Sequence, residues 1–184
     1  MTDNQKRNQR IAERLADVYR IVKDKEENEL FDKEKYSHWL IVFATAGLTV
    51  AIVRSDSLAS TSWLGAEHAR AVFLFVGVLF LLSAGFGAAI KRIISKTLYH
   101  YRLEIVLMLR QSILFEPPDQ LIPVGELFDK IQGATFLDPE LRKDVMMCRK
   151  KGDSLETLIK CLVIVQEVLV AVGYIGIFVC AVQA

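Results

Sequence analysis

Residues 71–90 read AVFLFVGVLFLLSAGFGAAI, a run without a single charge. An α-helix rises about 1.5 Å per residue, so a run of this length crosses the roughly 30 Å hydrocarbon core of a bilayer. Arg70 precedes it and Lys91 and Arg92 follow it, so both ends carry cations that reach lipid headgroups. The competing reading, a buried helix of a soluble domain, fits poorly with a segment apolar on every face and accompanied by two more apolar runs. It is read as a transmembrane helix, and the rest of the chain is read around it.

With 184 residues and 52% hydrophobic content, composition alone would suit a soluble domain. The distribution does not. Charged residues concentrate in 1–35 and 91–160, whereas 39–53, 71–90 and 161–184 are nearly free of them, the segregation that marks membrane spans. The net charge of +1 comes from basic residues interleaved with almost as many acids, so the basic stripe of a nucleic-acid interface is missing and no direct nucleic-acid contact is expected. The first thirty residues are polar, with no short apolar core before a small-residue cleavage site, so no cleavable signal peptide is expected. The first span is then the targeting signal.

Chemistry-bearing motifs are sparse. Cys148, Cys161 and Cys180 lack CxxC spacing and are read as small packing residues, not as a disulfide framework or zinc site. His38, His68 and His100 are far apart and expected on different sides of the membrane, so no metal and no cofactor are expected. GxSxG, Walker, HExxH and strand-following Gly-rich patterns are absent, and the chain is read as a non-enzyme. Arg92 and His100 lie on a segment read more simply as a packing arm.

The chain divides into four parts. Residues 1–35 hold a polar cytoplasmic helix over 9–35, in which Ile11, Leu15, Val18, Tyr19 and Val22 share one face. Lys23 with Glu27, Lys25 with Glu29 and Glu29 with Lys33 are opposite charges four apart. Such a helix packs on a neighbour or lies on the membrane surface, and its balance of acids and bases weakens the second reading. Residues 36–90 form a transmembrane hairpin. Tyr36 and Trp39 suit the headgroup belt at the start of its first span, which ends at Val53, and the Ser- and Ala-rich linker 54–69 makes the turn tight. Residues 91–153 comprise a cytoplasmic arm over 91–115, with Ile94, Leu98, Tyr101, Ile105 and Met108 spaced four and three apart like a packing seam. The arm is expected to pair antiparallel with the N-terminal helix.

After the arm comes a small helical segment. Pro123 opens one short helix closed by Gly133, and Asp138, Pro139 and Glu140 open another that ends near Gly152. Leu121, Leu127, Phe128, Ile131, Phe136, Leu141 and Val145 are expected to cluster against the arms. Residues 154–184 form the third transmembrane helix, started by Asp153 and Glu156 in a capping-box-like pattern. Cations flank the cytoplasmic ends, so the N-terminus is cytoplasmic and the linker and C-terminus are outside, in the cell's inner membrane. If the third helix re-enters or lies in the interface, the C-terminus is cytoplasmic instead. The fold class is therefore all-α, an integral membrane protein with three transmembrane helices.

Glu167 is the most informative residue. An acid within a membrane helix costs a few kcal/mol and commonly faces a protein interior, water or an ion path. Lys160, Glu167 and Tyr174 recur every seven residues on one stripe, while Gln166 shares a neighbouring stripe with Gly173, Gly176 and Cys180. One reading makes Glu167 and Gln166 interhelical hydrogen-bonding groups; a second lines a pore or proton path with Glu167; a third makes it a substrate or lipid contact. Small residues mark packing faces. Gly47 lies four before Ala51 in the first span, and Ser83, Ala84, Gly85, Gly87, Ala88 and Ala89 crowd the second. Small faces on every span, and polar groups to satisfy, point to a homo-oligomer in contact with membrane lipid.

In its polar helix 9–35, hairpin 39–53 and 71–90, and extended arm 91–115, the chain resembles the small bacterial membrane effectors of anti-phage conflict systems, particularly the two-span SLATT type. The third span with Glu167 departs from that pattern. The resemblance implies a membrane-perturbing or membrane-sensing component controlled by a cytoplasmic protein partner, and transfers no catalytic residue. Three functions stay open: an oligomeric effector or channel, a non-conducting anchor that recruits a soluble partner through 1–35 and 91–153, and an auxiliary subunit of a transporter.

Overall fold

A computed structural model describes residues 13, 17, 20, 27–54, 56–57, 62, 65–115 and 139–181, with 108–115 described by backbone alone. Among these the chain is all-helical, and its three long helices are each apolar enough to cross a membrane. They are α1 (Asn28–Val53), α2 (Ala66–Phe115) and α3 (Pro139–Ala181). The short helices expected around Pro123 and Gly133, the Ile11-to-Val22 face, and Leu121, Leu127, Phe128, Ile131 and Phe136 lie outside the described residues. Residues 13, 17 and 20 are helical and exposed, with Arg20 paired to Asp17 at 3.4 Å.

One spacing governs all three helices. On α2, buried positions 69, 73, 76, 80, 83, 87, 90, 94, 97, 101 and 104 alternate four and three apart, with Leu79 buried beside them. Such a seam keeps one narrow face of a helix against its neighbours over many turns. Buried residues 37, 40, 44, 47 and 51 repeat the pattern on α1, and 145, 148, 152, 159, 166, 173 and 180 fit it on α3. The arm's seam therefore differs from the sequence reading by one position in two places. Thr97 and Glu104 are innermost, and Leu98 and Ile105 flank them half-buried. Both registers satisfy a four-three spacing, and the polar residues hold the centre.

Two expected boundaries are absent. α1 runs unbroken past residue 35 into the apolar span. α3 passes straight through Gly152, so neither the helix end there nor the new start at Asp153 exists. Gly152 has a packing role instead: it is buried against the Tyr101 ring, which a Cβ at that position would strike. A glycine that costs about 1 kcal/mol of helix propensity is retained where it permits this close approach. The true turn glycine is Gly65, at φ 82°, a left-handed conformation that side chains resist. Its N–H donates to the Ser62 carbonyl at 3.1 Å, and α2 starts at the next residue.

The chain forms two compact units. The first takes residues 1–30 and 95–156. In it, the Arg102 Nε and Nη2 donate to Glu27 Oε1 at 3.1 and 2.6 Å, and the Tyr101 hydroxyl donates to Glu156 Oε2 at 3.0 Å. The first of these contacts ties Glu27, just before the start of α1, to the arm. Val145 and Cys148 are buried here. Burial pushes the Cys148 thiol above its ordinary value, Glu104 and Asp144 push it further, and Lys151 opposes them, so the thiol stays protonated and weakly nucleophilic at neutral pH.

The second unit takes residues 31–94 and 157–184 and holds the apolar runs. Its core centres on Phe80, whose ring lies against both Gly47 of α1 and Gly173 of α3, with Tyr174 edge-on at 5.4 Å. Val76 packs on Gly176 in the same way. Small residues on α1 and α3 thus receive bulky residues of α2, the close packing that holds helices together where lipid offers no hydrophobic drive. Ion pairs mark both ends of the 71–90 run: Arg70 with Asp56 at 3.3 Å, and Lys91 with Glu34 at 3.8 Å.

Candidate intramembrane polar site

The polar layer begins one helical turn from the ion pair of Glu34 with Lys91. Ser37 follows Glu34 by three residues on α1, and Gly87 precedes Lys91 by four on α2. Between them sits Gln166 of α3, wholly buried. The Ser37 hydroxyl donates to Gln166 Oε1 at 2.8 Å, and Gln166 Nε2 donates back to the Ser37 carbonyl at 3.2 Å. Gly87 supplies the room, since a Cβ there would lie 3.0 Å from Gln166 Nε2 and would strike Ile41. Both faces of the Gln166 amide are engaged within the chain, as a buried amide requires. Its role is interhelical.

Glu167 is the next residue, about 100° further round the helix. It is half-buried at the seam of α1 and α3, with the Tyr36 phenol beside it. Tyr36, Trp39 and Phe43, spaced three and four apart, continue the outer face beside it, and all three are exposed. The Trp39 and Phe43 rings stand 6.5 Å apart. Glu167 therefore has a phenol on one side and is open on the other.

The other residues singled out in the sequence fall on both sides of this division. Tyr174 shares the Glu167 stripe, but its hydroxyl donates to the Phe43 carbonyl at 2.9 Å, which makes it a clasp between α3 and α1. Lys160 is exposed, about 10 Å along α3 from Glu167 toward the polar end. Gly47, Gly173 and Gly176 face inward on bulky partners. The small residues of α2 split: Ser83 and Gly87 are buried, Ala84 is half-buried, and Gly85 and Ala88 point outward, with nothing within 4 Å of a Cβ at Gly85. The Ser83 hydroxyl has no partner among the described residues, one turn from Gly87.

Sequence reasoning missed Ser37, the partner that satisfies Gln166, and gave Tyr36 only a headgroup role. The signal was present: Ser37 heads the four-three series 37, 40, 44, 47, 51, and a hydroxyl on an inward seam of a membrane helix needs an acceptor. Among the described residues no group of three or more His, Cys, Asp and Glu is placed to hold a metal. Compared with family models, curated proteins and solved structures, the chain matches none.

Proposed function

We propose that this chain is an oligomeric, channel-like membrane effector of the kind used in bacterial anti-phage defence, controlled by a cytoplasmic protein through its polar helices. In this reading it sits in the inner membrane with the N-terminus cytoplasmic and the C-terminus outside. The observation that carries the proposal is Glu167. Its neighbour Gln166 is satisfied within the chain, while the carboxylate has a phenol on one side and an opening on the other. A carboxylate at an apolar helix surface is costly against acyl chains, and sibling copies remove that cost by closing over it. The resemblance of the hairpin and arm to anti-phage effectors supplies the biological setting.

The test is Glu167→Gln in the full chain, reconstituted in planar bilayers. The wild type is expected to conduct, and the variant to change conductance several-fold while keeping the wild-type particle mass. A wild type that leaves the bilayer silent would contradict the channel reading.

A second reading, a non-conducting anchor for a soluble partner, is favoured by Phe80. It fills the space between Gly47 and Gly173, so any conducting path runs between copies and not through one. An anchor keeps its partner when Glu167 is replaced.

A further inference from the structure

Two outward features of the second unit remain unmatched among the described residues. The first is the aromatic ridge of α1, where Trp39 is 60% and Phe43 51% exposed, with the Glu167 opening beside it. The second is on α2, where Gly85 and Ala88 form a small exposed patch followed by Arg92, which is exposed and pairs with no acid among the described residues.

Contacts within the chain fix the depth of each feature. Gly87 is level with Ile41 and Gln166. Moving two residues toward the apolar end from Gly87 gives Gly85, and the same shift from Ile41 gives Phe43. Toward the polar end, Trp39 falls level with Ala88 and Ala89. Arg92 lies five residues to the polar side of Gly87, and Glu167 one residue to the apolar side of Gln166, so their Cα atoms differ in depth by about 9 Å. Helical side chains lean toward the N-terminus of their own helix. α2 runs from the apolar run toward the polar end, so Arg92 leans inward; α3 runs the opposite way, so Glu167 leans outward. The guanidinium and the carboxylate converge on one level.

Copies arranged around an axis normal to the membrane share the same depth, and a head-to-tail contact between two different faces can close such a ring. We infer that the occupant of the α1 and α3 face is the α2 face of a second copy. Trp39 and Phe43 seat on Gly85 and Ala88, and Arg92 of one copy pairs with Glu167 of the next. Large residues meet small ones, opposite charges meet at one depth, and the open side of Glu167 is closed. This inference rests on the oligomeric reading above and names its interface.

The experiment co-expresses two differently tagged full-length chains, one carrying Phe43→Cys and the other Gly85→Cys, both with Cys161→Ser, and oxidises them in membranes. A disulfide-linked heterodimer is expected. It should be lost when Gly85→Cys is replaced by Leu74→Cys, which lies at another depth. Arg92→Glu or Glu167→Arg alone should reduce the yield, and the two together should restore it. Particles of several copies that do not cross-link at 43 and 85 would overturn this interface while leaving the oligomer standing; a one-chain particle would overturn both.

Discussion

Gln166 and Glu167 are adjacent in sequence and equal in length, differing only in an amide against a carboxylate, yet their surroundings are opposite. The 100° step between them turns the amide into the meeting point of three helices and the acid toward a seam with an open side. Gln166→Leu should therefore destabilise the folded chain by about 1 kcal/mol, the usual scale of interhelical hydrogen bonds in membranes. Part of that loss comes from the stranded Ser37 hydroxyl, so adding Ser37→Ala should recover some of it. Thermal unfolding in one detergent measures both effects; no loss in the single variant would contradict the pairing at 2.8 and 3.2 Å. The sequence showed that Gln166 and Glu167 lie on different stripes. It could not show that a serine 129 residues away completes the amide, because that pairing follows from the relative register of α1 and α3.

At the scale of elements, apolar run lengths were the legible quantity. Three runs long enough to span, and an arm continuing the second of them, follow from hydropathy and the absence of breakers, and α2 holds run and arm in one helix, Ala66–Phe115. Glycine was the illegible quantity, because the same residue ends helices and permits close packing. Gly152 looked like a stop and is a seat for Tyr101; Gly47 and Gly173 together make the slot for Phe80. The slot gives a direct expectation. Gly173→Ala or Gly47→Ala drives a methyl into the Phe80 ring, which has helix backbone on its other side, so each should cost about 1–3 kcal/mol by overpacking. Phe80→Leu in the Gly173→Ala background should return part of it. Stability in detergent, followed by the loss of helical signal on heating, would show this; an unchanged midpoint for both alanine variants would mean that the ring is free to move aside.

For the whole molecule, the second unit closes on its own interior and leaves its outer face divided between an aromatic ridge with an open carboxylate and a small patch with an arginine that pairs with no acid among the described residues. Composition hid this arrangement, since exposed apolar side chains are ordinary on a helix that faces lipid. Only the placement of charge among them distinguishes a lipid face from an interface. The central claim is that copies of the chain assemble in the membrane and shield Glu167 from acyl chains. The mass of the particle extracted from membranes in a mild detergent, with bound detergent subtracted, tests it most directly. One discrete species is expected at an integer multiple, two or more, of the 20.8 kDa chain; a particle of 20.8 kDa, or a chain that stays in solution without detergent, would overturn that assembly.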